Sequence, residues 1–268
     1  MAKQTKLFKH GYPSDLTDGQ WATLEPLLQL DPDEPARTYE VRDIVDAIFY
    51  LNRTGCTWRY LPENLPPWQN VQYYFYKWTN DGTWERVNTA LRKLVRIASG
   101  KKPDPSAGSI DAQSVKTTEK GDPDTCGFDA GKKVKGRKRH VLVDTLGLVL
   151  KAVVHSASIQ DRDGAKLVLE GIQLEQPGLE KIWADGGYRG QLISWVKELT
   201  GIELEVVKRS DDLHSFKIVP KRWVSERTFG WFNRFRRLSK DYEANPKNSE
   251  SLIYIAMTHL MLRRLSTC

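Results

Sequence analysis

From Thr17 to about Ala98 the apolar positions recur every three or four residues, the spacing of helices that bury one face. Thr17 followed by Gln20 reads as a capping box for a helix carrying Trp21 and Leu24, which Pro26 kinks or ends near Glu25. A second helix spans about Thr38 to Arg53, with Val41, Ile44, Val45, Ile48 and Phe49 on its stripe and Gly55 as its stop. Beyond Pro62, Pro66 and Pro67, a third helix from Trp68 to Thr79 buries Val71, Tyr74, Phe75 and Trp78. Its other face shows Gln69, Gln72, Tyr73 and Tyr76, with Lys77 on the flank. After the turn Asp81-Gly82, a fourth helix from Trp84 to Ala98 presents Val87, Leu91, Leu94 and Val95.

Ser99 to Gly108 has the Pro, Gly and Lys content of a linker, and beyond it the period shifts from 3.6 toward 2. Strands are predicted over Ser109 to Val115, His140 to Asp144, Leu148 to His155, Lys181 to Asp185 and Glu203 to Val207. Helices are predicted from Arg162 to Leu174, Gly190 to Leu199, Lys221 to Glu243 and Ser249 to Leu265. Thr117 to Arg139 is read as a mobile basic loop, and Lys208 to Pro220 as a second basic loop. Three strands in an antiparallel meander, then strands returning through helices, describe an α/β chain with a mixed sheet of the α+β kind. The division expected is a helical domain over residues 1–100, a linker over 101–108 and a mixed-sheet domain over 109–268.

The charge balance points to polyanions. The chain has 41 Lys and Arg against 34 Asp and Glu in 268 residues, a formal charge of +7. The excess is local, since Lys132, Lys133, Lys135, Arg137, Lys138 and Arg139 follow one another with no acid between them. Cys56, Cys126 and Cys268 are too few for a disulfide framework or a cysteine zinc site, which points to a reducing cytosol. The first fifteen residues hold no apolar signal core, and Thr258 and His259 interrupt the most apolar segment, so no membrane span is expected. The amide and tyrosine face of the third helix fits a helix-turn-helix-like module entering a DNA groove, or else a bundle used for dimerisation.

Within Lys221 to Glu243, read as a single helix, Val224, Thr228, Trp231, Phe235 and Leu238 form the buried stripe. Arg222, Glu226, Gly230, Asn233 and Arg237 fall opposite, with Arg227, Arg234 and Arg236 on the flanks. Taken alone, these charges describe a solvated face. Asp111 on the first strand and Asp185 at the end of the fourth change that, because neighbouring strands lie about 4.8 Å apart and Glu226 could complete a set of three carboxylates. Such a set suits Mg²⁺, with Mn²⁺ as a substitute, and two ions would serve an in-line phosphoryl displacement. Each acid has a plainer reading: Asp111 as a strand-edge acid, and Asp185 as a turn former before Gly186 and Gly187. Asp144 reads as a hairpin residue, Asp161 and Asp163 as helix N-terminal acids, and His140 and His155 as satisfied histidines at a sheet rim.

SIDAQSVKT, GKKVKGRKRHVLVDTLGL, WADGGYRG and RWVSERTFGWFNRFRRLSKDYE, in this order and spacing, resemble the DDE transposases of bacterial insertion sequences, most of all the large family numbered five. LTDGQWATLEPLL, RTGCTWRYLPENLPPWQNVQYYFYKW and DGTWERV resemble the helical domain that precedes the catalytic domain there. The resemblance implies a ribonuclease H-like catalytic domain in which the first and fourth strands are neighbours. It also implies that Asp111, Asp185 and Glu226 are the metal-binding catalytic acids. Related enzymes place a Tyr, an Arg, the Glu and a Lys at fixed offsets on the last helix, where this chain has Val219, Arg222, Glu226 and Asn233. The Arg matches, and Arg234 or Arg237 is left to supply the missing cation. Trp223, beside the catalytic face, is a candidate wedge for a flipped base.

The expected function is binding of an element's terminal inverted repeats in double-stranded DNA by a homodimer or larger assembly in the bacterial cytoplasm, at the nucleoid. The loop Lys132 to Arg139 and the helix carrying Arg222, Arg227, Arg234, Arg236 and Arg237 would grip phosphates without reading bases, and metal-dependent cleavage and strand transfer would follow. A nuclease of the same fold and an inactive DNA-binding descendant are the alternatives.

Overall fold

The computed structural model describes residues 11–30, 38–118, 123–207 and 223–266. Two compact units divide the chain. One holds the residues up to Ser99 together with Arg234–Ser239 and those from Ser251 on; the other holds Gly100–Asn233 and Lys240–Glu250.

In the first unit, the Thr17 hydroxyl and the Gln20 side chain close a reciprocal capping box on α1 (Asp18–Leu24), which runs into a 3₁₀ turn at Pro26. Gly55 ends α2 (Val41–Thr54) in the left-handed region at φ 75°, with its amide donating to the Leu51 carbonyl. Glu40 is still extended, so α2 starts three residues later than the apolar pattern predicts. In α3 (Trp68–Asn80), Val71, Tyr74, Phe75 and Trp78 are buried as expected. Trp78 meets Trp84 of α4 (Thr83–Ala98) edge to face at 5.5 Å. Leu94, placed on the α4 stripe by its spacing, is 40% exposed.

The C-terminal segments complete this core. The Asn52 side-chain amide donates to the Leu252 carbonyl at 3.1 Å, His259 stacks on Phe49 at 4.8 Å, and the Arg237 guanidinium donates to the Cys56 carbonyl at 3.1 Å. The single domain expected over 109–268 therefore gives up Arg234–Ser239 and its last residues to the helical unit.

The second unit is built on a six-stranded mixed sheet ordered β2-β3-β1-β5-β6, with β4 also on β3. β1 (Ala107–Lys116) runs antiparallel to β3 (Val134–Asp144) and parallel to β5 (Lys181–Ala184), which pairs in parallel with β6 (Glu203–Val206). β4 (Val149–Ser156) returns from β3 through the turn at Gly147, and short β2 (Gly127–Asp129) pairs with the start of β3. Thus much of the segment read as a loop from Thr117 to Arg139 is strand. α5 (Asp161–Leu169) and α7 (Gln191–Thr200) bury Val168, Leu169, Leu192 and Val196 with Ile110, Leu142, Ile182 and Leu204 of the sheet. The helix predicted to reach Leu174 breaks at Gly171, which has φ 72° and precedes a single turn, α6 (Ile172–Glu175). The loop Lys208 to Pro220 lies outside the described residues.

Arg137 of β3 and Asp241 are both fully buried and lie 3.5 Å apart. The same guanidinium donates to the Glu243 and Ala244 carbonyls at 2.7 Å each, and Asp241 accepts from the Ser249 hydroxyl at 2.7 Å. Removing one partner would leave an uncompensated buried charge. Asp241→Ala should therefore lower unfolding stability by about 3–5 kcal/mol in a denaturant titration.

Candidate active site

β1 and β5 are in register at Ala107↔Lys181, Gly108↔Ile182 and Ser109↔Trp183. Carried two residues further, the same offset would set Asp111, midway along β1, opposite Asp185, which lies just past the carboxyl end of β5. Such a strand end is where open α/β sheets gather ligands. Asp185 is also the turn former that its sequence suggests: its carboxylate accepts the Gly187 amide at 2.7 Å and caps a 3₁₀ turn over Gly186–Tyr188. One Asp111 oxygen accepts the Ala112 amide at 2.7 Å, and the other faces the Ser225 hydroxyl at 3.5 Å.

Ser225 belongs to α8 (Trp223–Phe232), so the turn that carries Glu226 lies beside β1. α8 is shorter than the single helix predicted from Lys221 to Glu243, and Arg236–Leu238 form a separate 3₁₀ turn. Phe235 and Leu238 are thus not on its stripe; Val224, Ser225, Thr228, Phe229 and Phe232 are its buried face. Glu226, Gly230 and Asn233 are exposed, as the opposite face requires. The helix is fixed to the β3–β4 turn. The Thr228 hydroxyl donates to the Gly147 carbonyl at 2.8 Å, and Arg227 donates to the Leu146 carbonyl at 2.8 Å. Asp144 organises that turn by accepting the Leu146 and Leu148 amides at 2.8 and 2.9 Å, which bears out its hairpin reading. The Arg227 guanidinium lies 4.4 Å from the Trp223 ring centre and 4.8 Å from that of Trp231, stacked between them. Trp223 is 42% exposed, so a face remains open beside Glu226.

The basic run separates into two sets. Lys133 and Lys135 are exposed, as is Lys132, whose ammonium donates to the Ala112 carbonyl at 2.8 Å. Arg137, Lys138 and Arg139, expected to grip phosphates, are instead buried in β3. Lys138 pairs with Asp161 at 2.8 Å and Asp129 at 3.5 Å, and Arg139 donates to the Lys240 carbonyl at 2.9 Å. Burial lowers the Arg139 pKa to about 10 against the opposing pull of Asp241. In a strand buried on both faces the donors of these side chains are taken up by backbone carbonyls and carboxylates, although Lys138 still lines a cavity beside the Asp185 turn. Arg237 is likewise buried in the helical unit, while Arg234 and Arg236 are exposed. Arg222 and Val219 lie outside the described residues. On α3, Gln69, Tyr73 and Tyr76 are exposed and Gln72 and Lys77 half-buried, so the predicted outward face stands clear of the core.

Sequence reasoning missed a buried polar chain behind Asp185. His155 Nδ1 lies 2.9 Å from the Ser156 carbonyl, which requires the proton there; its Nε2 then accepts from His140 Nδ1 at 3.2 Å, and His140 Nε2 accepts the Tyr188 hydroxyl at 2.7 Å. The histidines are satisfied, as read, but His140 is fully buried rather than at a rim. Gly164 of α5 makes the approach possible, since a Cβ there would sit 2.5 Å from His155 Nε2 and 2.6 Å from His140 Nδ1. A glycine inside an otherwise helical segment was the available signal.

The family model described as "Transposase DDE domain" matches residues 102–261, and that described as "Putative transposase of IS4/5 family" matches residues 16–88. The chain is also similar to the "Putative transposase for insertion sequence element IS402" of Burkholderia cepacia, at 27% identity over 166 residues, 59% of this chain and 77% of that protein. A mixed sheet with helices packed against it, an acid within one strand and another just past the end of its parallel neighbour is, with this match, the ribonuclease H-like class. Within that class the chain belongs to the DDE transposases of insertion sequences. Such domains use a divalent cation, and two hard carboxylates carried by neighbouring strands fit that chemistry. Among the described residues, no three His, Cys, Asp or Glu stand close enough together to share an ion, so Asp111, Asp185 and Glu226 are not gathered into one cluster in this structure.

Gly147 has φ 79°, and a Cβ there would lie 2.9 Å from the Thr228 hydroxyl and 3.0 Å from the Trp231 ring. Gly147→Ala is expected to cost about 1–2 kcal/mol from backbone conformation alone, read as a lowered urea midpoint. The histidine chain sets a pH dependence. Burial, then the neighbouring His155 and the Lys138 and Lys132 charges, hold His140 well below the usual imidazole range; burial lowers His155 as well. Both rings bind a proton less readily in the folded than in the unfolded chain. Stability should therefore fall as pH drops below about 6.5, by up to about 1.4 kcal/mol per unit for each ring. Urea midpoints at a series of pH values should show this decline, and it should flatten in the His140→Gln, His155→Gln double variant.

Proposed function

We propose that the chain binds the terminal inverted repeats of its own insertion sequence and catalyses cleavage at the element's ends, followed by transfer of the freed 3′-hydroxyl to target DNA. The observation that carries this reading is the alignment of Asp111 with Asp185 in a chain of this family, with Ser225, next to Glu226, facing Asp111. Asp111, Asp185 and Glu226 are the residues that would hold Mg²⁺, with Mn²⁺ as a substitute. The chemistry these carboxylates would supply with a hard dication bound is activation of the attacking hydroxyl group and compensation of charge on the scissile phosphate.

The chain's own residues do the rest. Lys133 and Lys135 are exposed beside β1's partner strand and would hold the DNA backbone without reading bases. Lys132, fixed on the carbonyl of the residue after Asp111, adds positive charge next to that acid. The α3 face of Gln69, Gln72, Tyr73, Tyr76 and Lys77 would supply sequence contacts in a groove, and Arg234 and Arg236 further phosphate contacts. The active assembly would be a homodimer or larger. No helix among the described residues is long and apolar enough to cross a membrane.

Asp111→Asn, Asp185→Asn and Glu226→Gln should each reduce Mg²⁺-dependent end cleavage at least about 100-fold while leaving end binding in place. Cleavage that persists in all three with binding unchanged would sink the assignment. Cleavage of end-containing duplexes without any joined product would instead identify a nuclease of the same fold.

A further inference from the structure

Two adjoining cavities open beside the turn that follows Asp185. The first, of about 340 Å³, is lined by Lys138, Asp161, Arg162, Gly186, Gly187 and Arg189 among others. The second, of about 580 Å³, takes in Arg162, Lys166, Gly190, Gln191 and Trp195. Arg162 lines both, so the two adjoin at its side chain along a surface from the Asp185 turn to the face of α7.

Its charge is not cancelled from within. Asp161 is paired with Lys138 at 2.8 Å, and Asp163 with Lys166 at 3.3 Å. That leaves the exposed Arg162 and Arg189, neither of which pairs with a carboxylate among the described residues. The glycines of the floor let both guanidiniums lie close to backbone, since a Cβ at Gly186 would stand 3.4 Å from Arg189 and one at Gly190 3.7 Å from Arg162. At the far end, Trp195 is packed against the core and only half-buried, which gives a rigid aromatic wall. Cations along a surface that ends on a fixed aromatic ring have the composition of a single-strand site, where phosphates meet the cations and an unstacked base lies on the ring. A duplex keeps its base faces stacked internally and could use only the cations.

We propose that this surface binds single-stranded DNA leading away from the scissile phosphate, with a phosphate held by Arg162 and Arg189 and a base stacked on Trp195. The inference rests on the reading of Asp111 and Asp185 as the cleavage site for its position in the reaction. It does not rest on that reading for its chemistry.

The test uses the full chain, without divalent cation, and a fluorescent mixed-sequence 12-nucleotide single strand beside the same sequence as a duplex. Trp195→Ala should weaken single-strand binding about 5- to 100-fold, and Trp195→Phe should restore it. Arg162→Ala and Arg189→Ala should each flatten the salt dependence of single-strand binding by about 0.7 in log–log slope. Duplex binding should change little in Trp195→Ala. Unchanged single-strand affinity in Trp195→Ala, an equal loss for duplex, or failure of Trp195→Phe to restore binding overturns the proposal. End cleavage is read in a separate assay with Mg²⁺, so a full chain that shows no single-strand preference dependent on Trp195 while its cleavage still depends on Asp111 and Asp185 removes this inference alone. Intact single-strand binding alongside cleavage that ignores Asp111 and Asp185 removes the catalytic reading instead.

Discussion

β1 must pair on both edges at once, antiparallel to β3 and parallel to β5, and the placement of the acids depends on that double pairing. In a sheet, a slip of one residue turns every side chain to the other face. The β1–β3 ladder is long, from Gly108↔Asp144 to Lys116↔Gly136, so it pins the register of β1. The parallel β1–β5 ladder is short and ends before either acid, so Asp111 is held by the β1–β3 ladder while Asp185 lies just past the carboxyl end of β5. A strand order that separated β1 from β5 would leave the same two aspartates unrelated.

The remaining polar contacts fix elements around that end. The hairpin turn held by Asp144 serves as a seat for α8, through Thr228 and Arg227, and Ser225 then faces Asp111. Behind the Asp185 turn, the line of Tyr188, His140 and His155 satisfies three buried side chains at once and closes on a backbone carbonyl. Buried groups of this kind must be fully partnered to be tolerated, and the partnering restricts the turn to one arrangement. Buried Arg137 does similar work for the segment after Lys240, whose carbonyls it ties to β3.

A basic run in sequence therefore has two uses here. In Lys132 to Arg139, the part at the start of β3 keeps its lysines in solvent, while the part inside the sheet spends its charge on carbonyls and on Asp129, Asp161 and Asp241. Burial disfavours ionisation of Asp129, yet the Ser114 hydroxyl, the Lys132 amide and the Lys138 and Lys132 charges outweigh it and keep the carboxyl below its usual range. Composition cannot separate these uses, because a lysine that binds phosphate and one that binds a carbonyl have the same letter. Among the described residues, exposed cations without a carboxylate partner stand at Arg162 and Arg189, which no charge run marked.

Local patterns were legible wherever local physics decides: the Thr17 capping box, the Gly55 stop, the buried stripe of α3, the Asp144 turn and the strand carrying Asp111. The family and its fold were legible too, through motifs whose order survives in one chain. Tertiary structure alone decided that α8 stops at Phe232, that Arg137, Lys138, Arg139 and Arg237 are interior, and that the last helix completes the helical core. It also decided that His140, His155, Gly164 and Tyr188 meet. The physical reason is the same throughout. Periodicity and caps are set by neighbours along the chain, whereas burial of a charge or the meeting of two histidines is set by which strands pair, and pairing is a property of the whole sheet.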